Sequence, residues 1–342
     1  VWTKNAEYWD AENVHLDTIN WYIVAQESTA ATMFENGELD QYQPTGDYAI
    51  KFEKEAEEGK YQYMVTDYPG TIGLRFNFIN GGTSGLMSNV KIRKAISYSI
   101  DREEMIDAVY GRYNPAYSYV APAITFNGSS YRSQVGEVIE DEYNEYVGDP
   151  DKIVALFQEG LDELGVETPI EDITLTYLTS GSTTEVQAER EYIQQSLEET
   201  LGLTVELSVA GDNSLFIADR NEGNYDFFLG GWYSDYNDPL DFLYTNYTDA
   251  YGMSFGGYSN TDYDALADQL VGETDMDKRL DIYKQMEQIL HLHQSTMLQS
   301  RFCFRTGLRI IVLPLLVQVL SLSGLTSMEK ISNRAQLVEG NA

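Results

Sequence analysis

The chain has 342 residues, enough to bury a sizeable core and to form two domains. Its composition is globular, 43% hydrophobic and 23% charged, and 55 acidic against 22 basic residues give a net charge of −33. That balance argues against a nucleic-acid partner, which needs clustered Lys and Arg, and the single cysteine, Cys303, excludes an intrachain disulfide.

In chain order, the first clear element is Asn89–Ile100, whose Ile92, Ala95 and Ile96 share one helical face. Asp101 then opens a second helix, with Glu104 at the capping-box position and Gly111 as its stop. Residues 80–88 and 113–131, rich in turn formers, read as loops or linkers. Asp149-Pro150 starts a helix with Pro at the first position, where a missing N–H costs nothing. Its stripe is Ile153, Val154, Phe157, Leu161 and Leu164, and Gly165 ends it.

Alternation predicts a strand over Ile173–Leu178, a helix over Thr184–Leu201 stopped by Gly202, and a strand over Leu203–Val209. A strand–helix–strand unit of this kind implies a parallel pair. Tyr225–Trp232 is apolar enough for a central strand. Helices over Thr261–Leu270 and Asp277–Leu290 follow, the last with Leu280, Tyr283, Met286 and Leu290 facing a core. The pattern is α/β.

Residues 291–342 differ from the rest. They carry five basic residues against two acidic ones, no Tyr out of 26, and two of the three His. The apolar stretch Ile310–Leu325 approaches the roughly 20 residues that span a membrane, but Pro314, Gln318, Ser321 and Ser323 interrupt it. The expectation is a reading-frame shift in the source gene near residue 291. The codons of His291–Met297, read two bases later, can encode Pro-Ala-Pro-Val-Tyr-Tyr, which suits a strand better. Resequencing tests this, because an intact frame through residue 342 removes it. The chain starts at Val1 with no secretion signal in view, and the expectation is a fragment without its natural N-terminus.

Catalytic motifs are sparse. His15 is the one histidine before residue 291, which leaves no partner set for Ser–His–Asp or Cys–His chemistry there. No P-loop, dinucleotide fingerprint or HExxH occurs. The carboxylates of Asp235, Asp238 and Asp241 in DYNDPLD fail as a calcium loop, since Leu240 and Asn246 stand where Gly and Glu are needed. Neither a metal nor a cofactor is expected. Tyr and Trp in this number suit a surface that binds something part apolar and part polar, or simply coat strands.

Four segments carry a resemblance: Lys4–Trp21 with Glu35–Asp40, Asn89–Pro122, Gly230–Leu243 and Tyr258–Leu270. In order and spacing they resemble the oligopeptide- and dipeptide-binding proteins of ABC importers, the extracellular solute-binding proteins of family 5. The resemblance implies an α/β, two-lobed, periplasmic-binding-protein-like fold (type II, cluster C) with an incomplete first lobe, closing on its ligand like a hinged trap. Residues 1–79 would belong to lobe I, 80–290 would form the peptide-binding lobe II, and 291–342 would replace the return to lobe I. Leu74–Phe78 would be the first crossing strand.

The implied function is capture of oligopeptides or dipeptides outside the cytoplasm, in the periplasm or as a cell-surface lipoprotein, and delivery to permease subunits by a monomeric, non-enzymatic protein. Gly231, Trp232 and Tyr233 match the strand that pairs with the peptide backbone. Asp235 matches the carboxylate that meets the α-ammonium, and Arg220 matches by spacing a basic residue for the peptide carboxylate. A second family Arg position holds Leu229. Core packing for Trp232 and turn capping for Asp235 are the competing readings. The same scaffold could instead hold a nickel chelate, heme or oligosaccharide, and a glycoside hydrolase using two carboxylates is the rival from another class.

Overall fold

The computed structural model describes residues 1–44, 46–62, 69–110, 113–248, 255–291 and 295–300. The described residues fall into two compact units, one of 1–62 with Asp235–Asn237, the other of 69–234 with 238–300.

In the smaller unit, β1 (Trp2–Thr3) pairs antiparallel with β2 (Thr18–Ile19), and the Trp2 and Trp21 rings stack at 6.0 Å. Helices α1 (Glu27–Glu35) and α2 (Gly46–Glu57) bury Ala30, Ala31, Phe34 and Phe52 around Tyr42. The Tyr42 hydroxyl donates to Glu27 at the start of α1. His15 is exposed.

The larger unit is built on one mixed sheet. Its elements are β3 (Gly70–Phe76), α3 (Val90–Tyr98), α4 (Arg102–Met105), β4 (Asn114–Pro115), the hairpin β5 (Thr125–Phe126) and β6 (Ser129–Ser130), α5 (Tyr131–Val135), α6 (Glu140–Tyr146), α7 (Pro150–Leu164), β7 (Thr174–Ser180), α8 (Thr184–Leu201), β8 (Thr204–Ala210), α9 (Asn213–Glu222), β9 (Phe227–Tyr233), α10 (Pro239–Leu243), α11 (Thr261–Leu270), α12 (Met276–His291) and β10 (Ser295–Ser300). The strand order is β4-β10-β3-β9-β7-β8. β7 runs parallel to both β8 and β9, and β3 runs antiparallel to β9 and β10.

The caps follow the residue chemistry. Asn89 accepts from the Lys91 and Ile92 N–H groups, Asp101 from Glu103 and Glu104, and Thr183 from Val186, each meeting donors that a helix start leaves open. Gly165, Gly202 and Gly223 end α7, α8 and α9 in the left-handed conformation. Two cores result. One, around Phe76, Ile96, Phe157, Leu175 and Leu197, lies between the sheet and α3, α7 and α8. The other, around Phe126, Tyr131, Phe242, Tyr263 and Tyr283, joins the 119–135 segment to α10–α12.

Several expectations shift. The Asp101 helix does not continue regularly: after Met105 it widens into a π-turn over Ile106–Tyr110, and Glu104 accepts from the Tyr192 hydroxyl at 3.1 Å. Its expected stop, Gly111, lies outside the described residues. Leu164 closes the α7 stripe at 38% exposure, because the last turn overhangs the core. Within 113–131, read as a loop, Val120, Ala121 and Ile124 are buried. The β3 strand starts before Leu74, ends at Phe76 and lies in the larger compact unit. Residues 295–300 enter the main sheet beside β3, while Ile310–Leu325 lies outside the described residues. No helix among the described residues is long and apolar enough to cross a membrane.

One buried ion pair holds the second core. Arg132 donates to Glu287 at 2.6 and 3.1 Å, and Glu287 also accepts from Val120 N–H at 2.9 Å and the Tyr131 hydroxyl at 3.2 Å.

Candidate ligand site

The sheet connections place the site. From β7 the chain passes through α8 to β8 on one side, then through α9 back across β7 to β9 on the other. Strands whose connections diverge in this way leave a crevice at their carboxyl ends, the place where open α/β sheets take ligands. In this sheet the divergence falls between β7 and β9.

The start of β9 is held by side chains that sequence reading missed. Asn77, buried at the end of β3, donates to the carbonyls of Gly223 (2.8 Å) and Tyr225 (2.9 Å). Asp226, fully buried, accepts from Thr176 N–H (2.7 Å), Ser84 N–H (2.9 Å), the Ser84 hydroxyl (2.7 Å) and the Thr83 hydroxyl (3.2 Å). It ties β7, β9 and the 82–84 turn into one knot. Gly82 is required there, since a Cβ would stand 2.5 Å from Asp226 Oδ1 at a φ of +79°. The only sequence signal for Asp226 is an acidic residue inside an apolar strand pattern.

β9 then pairs unequally on its two sides. Against β3 the register is unbroken from Phe227↔Phe76 to Tyr233↔Gly70. Against β7 it pairs at Tyr177↔Phe227 and Leu178↔Phe228. Beyond that, among the described residues, no strand pairs with Leu229–Trp232 on the β7 side. At the two ends of the β3 ladder, Asn77 N–H donates to Asp226 O and Ser234 N–H to Pro69 O. The alternation of an antiparallel ladder therefore turns both main-chain groups of Gly231 and the C=O of Leu229 toward the open edge, the Leu229 N–H being taken up in the Leu178↔Phe228 pairing.

Gly231 and Trp232 are half-buried and Tyr233 is 38% exposed. The Trp232 indole N–H donates to Asp241 Oδ2 at 2.9 Å, and its ring packs against the second core, so packing and anchoring both occur. Gly231 also answers to β3: a Cβ would meet the Thr71 carbonyl at 2.8 Å. Asp238, the neighbouring acid, caps α10 through Leu240 N–H and accepts from the Tyr283 hydroxyl at 2.9 Å.

Arg220 is not beside these residues. It lies in the last turn of α9, where its charge opposes the burial that pushes the Tyr225 phenol up to about 12. From Phe227, the first residue of β9, to Gly231 the strand runs roughly 13 Å. Asp235, exposed, is two residues past the end of β9 and belongs to the smaller unit.

Comparison with known proteins decides the family. The family description "Bacterial extracellular solute-binding proteins, family 5 Middle" matches residues 1–254. The chain belongs to that family. Family 5 relatives include the dipeptide-binding protein DppE of Bacillus subtilis, 29% identical over 289 residues, covering 84% of this chain and 49% of DppE. The oligopeptide-binding protein OppA of the same organism is 28% identical over 295 residues, covering 84% and 50%. The solved structure of Listeria monocytogenes OppA bound to peptide superposes with a TM-score of 0.68 at 26% identity, over 90% of this chain and 61% of that one. The α/β, periplasmic-binding-protein-like class expected from the sequence is the class of these structures. The chain spans about half the length of the curated relatives it matches.

Proposed function

We propose that this family 5 chain captures peptides outside the cytoplasm, as the binding component of an ABC importer that hands them to permease subunits, and that it acts as a monomer without catalysing a reaction. The observation that carries this reading is the open edge of β9. Peptides of varied sequence are best held by their main chain, added as a strand to an exposed edge, with side chains left to roomy pockets. Leu229 and Gly231 present main-chain groups there, and Gly231 has no side chain to cover them.

In this reading Gly231, Trp232 and Tyr233 form the peptide-pairing strand, Asp235 meets the α-ammonium and Arg220 the carboxylate. Support for Asp235 is its match to the family position, and its exposed carboxylate is chemically suited to an amine. Support for Arg220 is its place by the base of β9, away from Gly231.

Thermal melting with and without a mixed di- to hexapeptide library tests this. At a hundredfold excess over Kd, binding should stabilise the fold by roughly 2.7 kcal/mol. The shift should vanish in Asp235→Ala. A cooperative melt that peptides leave unmoved would remove the peptide reading.

A further inference from the structure

We infer that Gln194 and Glu198 of α8 close the outer edge of the main sheet to a second copy of this chain. β8 is the last strand in that sheet, and among the described residues it pairs with β7 alone. The other side of such a strand is a row of main-chain donors and acceptors that a further strand can join.

The register identifies the residues in that row. Thr204 N–H donates to Ile173 O at 3.0 Å, so Thr204 turns toward β7. Alternation turns Glu206 and Ser208 the same way, and Val205, Leu207 and Val209 outward. Val205 is nonetheless sealed. Glu198 Oε1 accepts from its N–H at 3.0 Å, and Gln194 Nε2 donates to its C=O at 2.8 Å. The two side chains stand one turn apart on α8 and supply the acceptor and the donor that a neighbouring strand would bring. Val205 is 2% exposed, whereas Val209 further along the same edge is 51% exposed.

A strand edge is its own complement under a two-fold axis. Centred on Leu207, antiparallel pairing of two β8 edges would join Val205 of each copy to Val209 of the other, and Leu207 to its counterpart. With Val205 taken, both outer pairs are lost. Moving the axis to Ser208 keeps the Leu207–Val209 pairs, but that ladder also stops at Val205. An incoming strand that reached Val205 would have to strip it of the Glu198 carboxylate, a stronger acceptor than the carbonyl replacing it. The guard supplies a cause for the monomeric state proposed above, and it does not depend on what β9 binds.

Analytical ultracentrifugation of the full chain at rising concentration tests this, with Gln194→Ala/Glu198→Ala beside the parent. The parent should keep the mass of one chain, and the double variant should climb toward twice that mass or beyond. Adding Val209→Pro to the double variant should return it to one chain, because Pro removes an outward N–H that β7 does not use. A parent that already associates overturns the guard, as does a double variant that melts cooperatively and stays monomeric. Association that survives Val209→Pro places the contact elsewhere and overturns it too. Should the double variant fail to fold, Gln194→Ala alone strands only an acceptor and should show the same association in smaller measure. A monomeric Gln194→Ala then overturns the guard.

Discussion

Asp226 accepts four hydrogen bonds in full burial, from donors on Ser84 and Thr176, which are partly buried, and on Thr83, which is exposed. Asp226→Ala should cost about 1–3 kcal/mol, the cost of stranding a buried donor, since the exposed Thr83 hydroxyl can turn to water. Urea unfolding would measure it. Asp226→Asn, which keeps one oxygen, should recover part of the loss. Glu189 poses a different residue-scale question. It accepts from the Tyr110 hydroxyl, and burial pushes its carboxyl up to about 7 against that hydrogen bond. A carboxyl that binds its proton more tightly when folded adds stability at low pH. That contribution is present below the ordinary glutamate range and is lost as pH rises through about 7. The side chain keeps some solvent contact, so the effect is about 1–2 kcal/mol. Glu189→Gln should flatten the fall in melting temperature between pH 5 and 8 relative to the parent chain. Parallel curves for the two proteins would contradict the assignment.

Among the elements, the Arg132–Glu287 pair fastens α12 to the 118–136 segment. Glu287→Ala leaves a buried guanidinium without its carboxylate and should cost about 3–5 kcal/mol in thermal or urea unfolding. Replacing both residues by apolar ones of similar size should cost less. On β9, Gly231→Ala should destabilise by about 1–3 kcal/mol even without ligand, since its Cβ runs into the Thr71 carbonyl. Loss of peptide binding in that variant would not by itself identify the ligand edge.

Elements of this kind were legible in the sequence where their signals are local. The caps at Asp101 and Asp149, the stops at Gly165 and Gly202, and the runs of β7, β8 and β9 all sit within a few residues of the structure they specify. What escaped depends on distant partners. Asp226 meets Ser84 from across 142 residues, and Glu287 meets Arg132 across 155. The open edge of β9 exists because β7 parts from β9 after Phe228 while running on beside β8 to Ser180, which no periodicity in either strand announces.

At the scale of the whole molecule, a net charge of −33 loads the folded state with self-repulsion that salt can screen. Raising ionic strength from about 0.01 M to about 0.5 M, which shortens the screening length severalfold, should raise the melting temperature. A flat or falling dependence would indicate that local ion pairs outweigh the overall field.

The position of β10 bears on how the chain is made. β3, buried along most of its length, has β9 on one side and β10 on the other, so its partners arrive some 150 and more than 200 residues later. On a ribosome, the Gly70–Leu74 flank stays unsatisfied until residues 295–300 have emerged. Pairings so far apart in sequence carry high loop-closure entropy and fold slowly. An apolar strand waiting this long is a natural substrate for holding chaperones and a natural seed for misassembly. Nascent chains released just short of residue 295 should aggregate, while those released past residue 300 should not.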